Sequence, residues 1–102
     1  MAVIVDAKAN TGESGKGAHA LSALVNAGIP VRTISVYDIH HDKFIVTDGV
    51  NVETGSFNYS RAAADRNSEN AILVRNNPDM ARQYLQHWQD RWSKGQEFRI
   101  RY

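Results

Sequence analysis

The stretch that decides the fold prediction is residues 41–58, which read HDKFIVTDGVNVETGSFN. Two short apolar runs, 43–47 and 50–54, lie on either side of the dipeptide Asp48-Gly49. Apolar runs joined by Asp-Gly are a strong short-range signal for a β-hairpin. The sequence therefore predicts two strands, joined by a tight turn, in the middle of the chain.

Strands and helices alternate along the rest of the chain, around a glycine-rich loop predicted over 8–17. Further strands are predicted, from apolar runs rich in β-branched residues, over 2–7, 31–37 and 69–75. Helices are predicted, from apolar spacing, alanine content and capping residues, over 18–27, 58–66 and 78–94. This order favours an α/β fold, a mixed β-sheet flanked by helices, in a single domain over residues 1–102.

The composition limits what the chain can do. It has 102 residues, 12 Lys and Arg against 11 Asp and Glu, and no cysteine. The length excludes a two-domain enzyme, and the near-neutral charge excludes a strongly basic nucleic-acid-binding coat. The lack of cysteine excludes disulfides, thiolate catalysis and cysteine-type zinc sites. No apolar run is long enough to span a membrane, and the first residues lack the basic start and long apolar run of a secretory signal peptide.

The central stretch also carries residues suited to phosphodiester chemistry, in the pattern H-x-K-x4-D-x6-G-S-x-N. His41 can attack phosphorus through a ring nitrogen, and Lys43, on the same face of a continuing strand, can hold a non-bridging oxygen. Ser56 and Asn58 follow a predicted strand end, where a helix begins, and short polar side chains there suit an anion. Glu69 can accept a hydrogen bond from the far nitrogen of His41 and fix its tautomer.

These chemical roles define the predicted site. The catalytic residues are His41, Lys43, Asn58 and Glu69. The phosphate ligands are Lys43, Ser56 and Asn58. No spacing of His, Asp and Glu typical of a metal site accompanies them, so no metal ligand is predicted.

The motif resembles the HKD motif of the phospholipase D superfamily, and most of all that of its small single-motif bacterial endonucleases. The likeness extends to residues 52–58, 67–71 and 87–92 and covers essentially the whole chain. It implies a ping-pong mechanism through a phosphohistidine, with no metal and no cofactor. It also implies that Asp48 and Gly55 are structural residues of the motif.

The resemblance further implies that two motifs meet in one active site, one histidine attacking while the other protonates the leaving group. Because this chain has one motif, we expect a homodimer in which His41 of both subunits faces across a two-fold axis. The implied function is that of a metal-independent phosphodiesterase, a non-specific endonuclease acting on DNA, with RNA as a second substrate. Nucleic acid is thus the expected substrate, and no membrane partner is expected.

Two alternatives stay open. One is a phospholipid phosphodiesterase, which keeps the chemistry and changes the substrate. The other is a catalytically inactive, truncated remnant that serves as a nucleic-acid-binding or dimerisation module. The chain opens at what would be an internal strand of the family domain, so we expect about the first third of that domain to be absent. Family resemblance suggests the bacterial periplasm or secretion, although the chain shows no signal peptide.

Overall fold

The computed structural model describes residues 1–11, 16–58 and 65–100 and confirms the mixed α/β class. The elements are, in chain order, β1 (Val3–Asp6), α1 (Ala7–Thr11), α2 (Lys16–Asn26), β2 (Val31–Ile34), β3 (Phe44–Thr47), β4 (Asn51–Gly55), β5 (Ala71–Val74), α3 (Pro78–Lys94) and β6 (Gln96–Glu97). In the described residues the strands form two three-stranded sheets, ordered β1-β2-β6 and β3-β4-β5. The chain divides into two compact units, one of Met1–His41 with Asp90–Tyr102 and the other of Asp42–Gln89.

The first unit is built on a parallel pair, β1 and β2, with β6 antiparallel on the other edge of β2. Its buried apolar residues are Leu21 on α2 and Val31 and Ile34 on β2. Asp6, at the end of β1, is a buried carboxylate that remains 8% exposed. One of its oxygens accepts the Ala9 N–H at 2.9 Å. Because this contact caps a first helical turn, residues 7–11 form α1, and the predicted loop over 8–17 is wrong there.

The second unit contains the predicted hairpin. β3 and β4 pair antiparallel, and the Val50 N–H donates to the Thr47 carbonyl at 3.2 Å across the turn. Asp48 and Gly49 have φ angles of 57° and 68°, the positive values that tight hairpin turns require. β5 adds to the far edge of β4 in antiparallel register. Val52, at the centre of this sheet, is 1% exposed.

Helix α3 begins where the sequence predicts. The Asn77 side-chain oxygen accepts the Met80 N–H at 3.0 Å, and Pro78 occupies the first helical position. Asn is a preferred N-cap, and Pro at the next position lacks an N–H that would have no helical partner anyway. Ala81 on this helix is fully buried. None of the described helices is both long and apolar enough to cross a membrane.

The predicted strands 31–37 and 69–75 are shorter in the structure. β2 ends at Ile34 because its parallel partner β1 ends at Asp6, which leaves no ladder for the residues beyond. β5 begins at Ala71 because the backbone of Asn70 bonds instead to Ser56. The predicted helix over 58–66 lies mostly outside the described residues.

Candidate active site

Three predicted site residues meet at one edge of the β3-β4-β5 sheet. In the register, Phe44 pairs with Thr54, and Gly55 pairs with Ala71. Antiparallel pairing therefore puts the start of β3, the end of β4 and the start of β5 at the same edge. Lys43 precedes β3, Ser56 follows β4, and Glu69 lies two residues before β5. The Thr54 hydroxyl donates to the Lys43 carbonyl at 2.9 Å, which ties this lysine to β4.

Ser56 joins β4 to the segment that carries Glu69. Its hydroxyl oxygen accepts the Asn70 N–H at 3.1 Å, and its own N–H donates to the Asn70 carbonyl at 3.0 Å. The serine proton lies near two acceptors, the Asn70 carbonyl, 3.5 Å from the hydroxyl oxygen, and the Glu69 carboxylate. Because 3.5 Å is long for an O–H donor, we assign the proton to the carboxylate.

Glu69 is held in its ionised form. The Ser56 hydroxyl, the Asn67 side chain and the positive charge of Lys43 together lower the pKa of this carboxyl below its usual value. Hydrogen bonds to the charged form and a nearby cation both favour the carboxylate, and they outweigh its slight desolvation. The edge of the sheet thus presents an anionic acceptor, a lysine and a serine hydroxyl side by side.

Gly55 allows β4 and β5 to approach each other closely beside Ser56. Its φ is +156°, and a Cβ built on it would lie 2.2 Å from the Asn70 carbonyl oxygen and 2.7 Å from the Ala71 Cα. Real Cβ atoms essentially never approach within 3.0 Å, so a residue with a side chain does not fit without a backbone shift. The close approach is the one that lets Ser56 bond to Asn70.

The remaining predicted residues lie nearby in sequence. Asn58 is exposed and lies two residues after Ser56. Asp48 is in the hairpin turn, at the opposite end of β3 from Lys43. His41 is exposed and is the last residue of the Met1–His41 unit, joined to Lys43 through Asp42 alone. Among residues 1–11, 16–58 and 65–100, no three His, Cys, Asp or Glu side chains cluster as a metal site.

Sequence reasoning missed two contacts beside the motif. Asp42 lies 2.6 Å from Nε2 of His87 on α3, and the second carboxylate oxygen of Asp6 accepts the His40 N–H at 2.9 Å. Both join residues far apart along the chain, so no local pattern predicts them.

Comparison with known proteins settles the family. The family model described as "Cardiolipin synthase, PLD-like domain" matches residues 1–92. The chain belongs to the phospholipase D superfamily. The crystal structure of a phospholipase D family member, Nuc from Salmonella typhimurium, is similar with a TM-score of 0.91 and 45% identity, covering 97% of this chain and 64% of that one. The superfamily resemblance predicted from the motif is therefore confirmed.

Curated relatives agree with this placement. "Phospholipase D" of Rickettsia felis is 42% identical over 71 residues, which are 70% of this chain and 35% of that protein. "Mitochondrial cardiolipin hydrolase" of Danio rerio is 34% identical over 73 residues, 71% of this chain and 32% of that protein. The chain spans about a third of the length of these relatives.

Proposed function

We propose that this chain is a phosphodiesterase that hydrolyses nucleic acid through a covalent histidine intermediate, without a metal ion. The observation that carries the proposal is the grouping of Lys43, Ser56 and the ionised Glu69 at one sheet edge. Lys43 lies two residues after His41 along the chain. A phosphodiester is an anion with a poor leaving group, so its hydrolysis needs a nucleophile, an acid and charge stabilisation. These residues supply the nucleophile and the stabilising groups.

The first step joins enzyme and substrate. A ring nitrogen of His41 attacks phosphorus, a P–N bond forms, and the bond from phosphorus to the leaving oxygen breaks. Lys43, Asn58 and Ser56 bind the non-bridging oxygens as their charge builds, and the Ser56 hydroxyl turns its one proton from Glu69 to the phosphate as it does so. Glu69 accepts the N–H of the other ring nitrogen, which fixes the tautomer and stabilises the imidazolium. A second histidine gives its proton to the leaving oxygen.

The second step releases the product. The histidine that gave up its proton removes one from water, and the oxygen attacks phosphorus. The P–N bond breaks, and the electron pair returns to the ring of His41. The product is a phosphomonoester, and both histidines are back in their starting forms.

The mechanism needs two histidines, and the chain has one motif, so we propose a homodimer. His41 of the partner subunit is the acid in the first step and the base in the second. Asp48 and Gly55 are structural members of the motif in this proposal: they shape the hairpin turn and the close approach beside Ser56. Closed two-fold assembly is the commonest arrangement for a homo-oligomer.

A phospholipid is the second candidate substrate. The names of the Rickettsia felis and Danio rerio relatives favour it, since both act on phospholipids by name. The likeness of the motif to single-motif bacterial endonucleases favours nucleic acid. The same histidine chemistry serves both, so the substrate is decided by assay.

The test is hydrolysis of bis(p-nitrophenyl) phosphate in excess EDTA by wild type, His41→Asn and His19→Asn. His19 is an exposed histidine on α2 and serves as the matched control. We expect turnover by wild type and by His19→Asn, and none above background by His41→Asn. Turnover that EDTA abolishes contradicts the metal-free mechanism. No turnover by folded wild type contradicts the enzyme and favours a binding module.

A second assay separates the substrates. Wild type is given supercoiled plasmid DNA in one reaction and phosphatidylcholine vesicles in another, both in EDTA. We expect wild type to give nicked and linear plasmid and to leave the lipid intact. We expect His41→Asn to leave both the plasmid and the lipid intact. Release of a headgroup without plasmid cleavage supports the phospholipid function instead.

A further inference from the structure

Helix α3 contacts the motif at the residue between its histidine and its lysine. Nε2 of His87 lies 2.6 Å from Oδ2 of Asp42. An ionised carboxylate only accepts hydrogen bonds, so we assign the ring proton to Nε2. The His87 ring also packs edge-on against Phe44, with centroids 6.0 Å apart, and Phe44 packs against Tyr84 at 5.0 Å. The histidine is thus held by two contacts of different kinds.

These contacts hold the chain on both sides of Lys43. Asp42 and Phe44 both contact residues of α3, whereas the charge of Lys43, between them, acts on Glu69. The Asp42 contact therefore holds the backbone directly before Lys43, whose own carbonyl accepts the Thr54 hydroxyl at 2.9 Å. His41 directly precedes Asp42 along the chain.

The residue before His41 has an anchor of its own. The His40 N–H donates to Oδ1 of Asp6, a buried carboxylate whose other oxygen caps α1. A buried carboxylate with both oxygens bonded is fixed in place. The two neighbours of His41 along the chain are each held by a side chain that the motif does not include.

We propose that His87 is a positioning residue for the reaction proposed above: by binding Asp42, it holds the backbone between His41 and Lys43 without touching the substrate. The inference rests on the proposed function for its catalytic meaning. Misplacing a reacting group by 1 Å is enough to slow a reaction by about 100-fold, so an anchor next to a nucleophile has a measurable effect.

The test compares three variants on helix α3. His87→Phe keeps a ring beside Phe44 and removes the donor. His87→Gln restores a donor, because the Gln side-chain nitrogen reaches about as far as Nε2 of histidine. Arg82→Ala is the control, since it breaks an ion pair of equal length with Asp79 on the exposed side of the same helix. Steady-state kinetics are measured with bis(p-nitrophenyl) phosphate.

We expect His87→Phe to lower kcat by about 10- to 100-fold with little change in KM, because the group that is misplaced acts in the transition state. His87→Gln should recover most of that loss, and Arg82→Ala should match wild type. Amide hydrogen exchange of residues 41–43 gives a readout that does not depend on activity, and it should rise in His87→Phe alone.

Two results overturn the inference. One is unchanged kcat and unchanged exchange at residues 41–43 in His87→Phe. The other is a His87→Gln variant as impaired as His87→Phe, which would show that a hydrogen-bond donor at this position does not restore kcat. If wild type has no turnover, the proposed function fails by itself, while the exchange measurement still decides whether His87 holds the segment.

Discussion

Replacing Gly55 with alanine is the substitution whose effect follows most directly from the geometry. The new Cβ would lie 2.2 Å from the Asn70 carbonyl oxygen and 2.7 Å from the Ala71 Cα, both backbone atoms. Backbone atoms cannot rotate away as a flexible side chain can, so β4 and β5 must separate at this point. The hydrogen bond from the Ser56 N–H to the Asn70 carbonyl then lengthens or breaks.

The loss of stability expected in Gly55→Ala has two sources. Placing alanine at a φ of +156° costs about 1–3 kcal/mol of backbone strain. Losing the hydrogen bond beside it costs about 1 kcal/mol. The free energy of unfolding should therefore fall by about 2–4 kcal/mol, which for a domain of this length lowers Tm by about 10–25 °C.

The matched control is Gly49→Ala in the hairpin turn. Gly49 also has a positive φ, +68°, but nothing lies within 4 Å of the Cβ position. This variant carries only the conformational penalty, about 1–2 kcal/mol. Thermal unfolding, monitored by circular dichroism, measures the stability of both variants. A loss of stability in Gly55→Ala no greater than that in Gly49→Ala contradicts this prediction, because the close approach to Asn70 would then have no energetic consequence.

Three further predictions concern other contacts. Ser56→Ala should raise the pKa of Glu69 toward its usual value, because the variant lacks the hydroxyl whose hydrogen bond lowers that pKa most. An NMR titration that shows no change in the pKa of Glu69 contradicts this. Asn77→Ala should destabilise the protein by about 1 kcal/mol and Asn77→Asp by much less, because aspartate can still cap α3; equal losses in urea unfolding contradict a capping role. Lys94→Met should raise the pKa of Asp90, whose carboxyl is held low by Lys94 first. A carboxyl whose pKa is lowered in the folded state stabilises the protein at pH values above its ordinary pKa, and this stabilisation is lost as the pH falls through its pKa in the folded protein. The difference in Tm between Lys94→Met and wild type should therefore narrow between about pH 6 and about pH 2. A difference in Tm that does not change with pH contradicts this prediction.

The parts of the fold that depend on neighbouring residues could be predicted from the sequence. The hairpin follows from Asp48-Gly49, and α3 follows from Asn77-Pro78 at its start. The division of the strands into two sheets could not be predicted, because it depends on pairings such as Arg32 with Glu97 that join distant segments. Distant pairing leaves no periodic pattern in the sequence.

The candidate site divides in the same way. The motif predicted Lys43 and Ser56 as site residues, and the register of β3, β4 and β5 explains why they meet Glu69. The contact of His87 with Asp42 joins residues 45 positions apart, and no spacing rule reaches that far. Residue types thus predicted which side chains form the candidate site, whereas the contact beside them had to be found in three dimensions.

Trapping the covalent intermediate on His41 tests the proposed mechanism directly. Wild type is mixed with bis(p-nitrophenyl) phosphate in EDTA and quenched in alkali, in which a P–N bond to histidine is stable. The peptides are then analysed by mass spectrometry. We expect a p-nitrophenyl phosphoryl group on the peptide that contains His41, and none in His41→Asn. Turnover by wild type with no adduct on His41, or with the adduct on another residue, contradicts it.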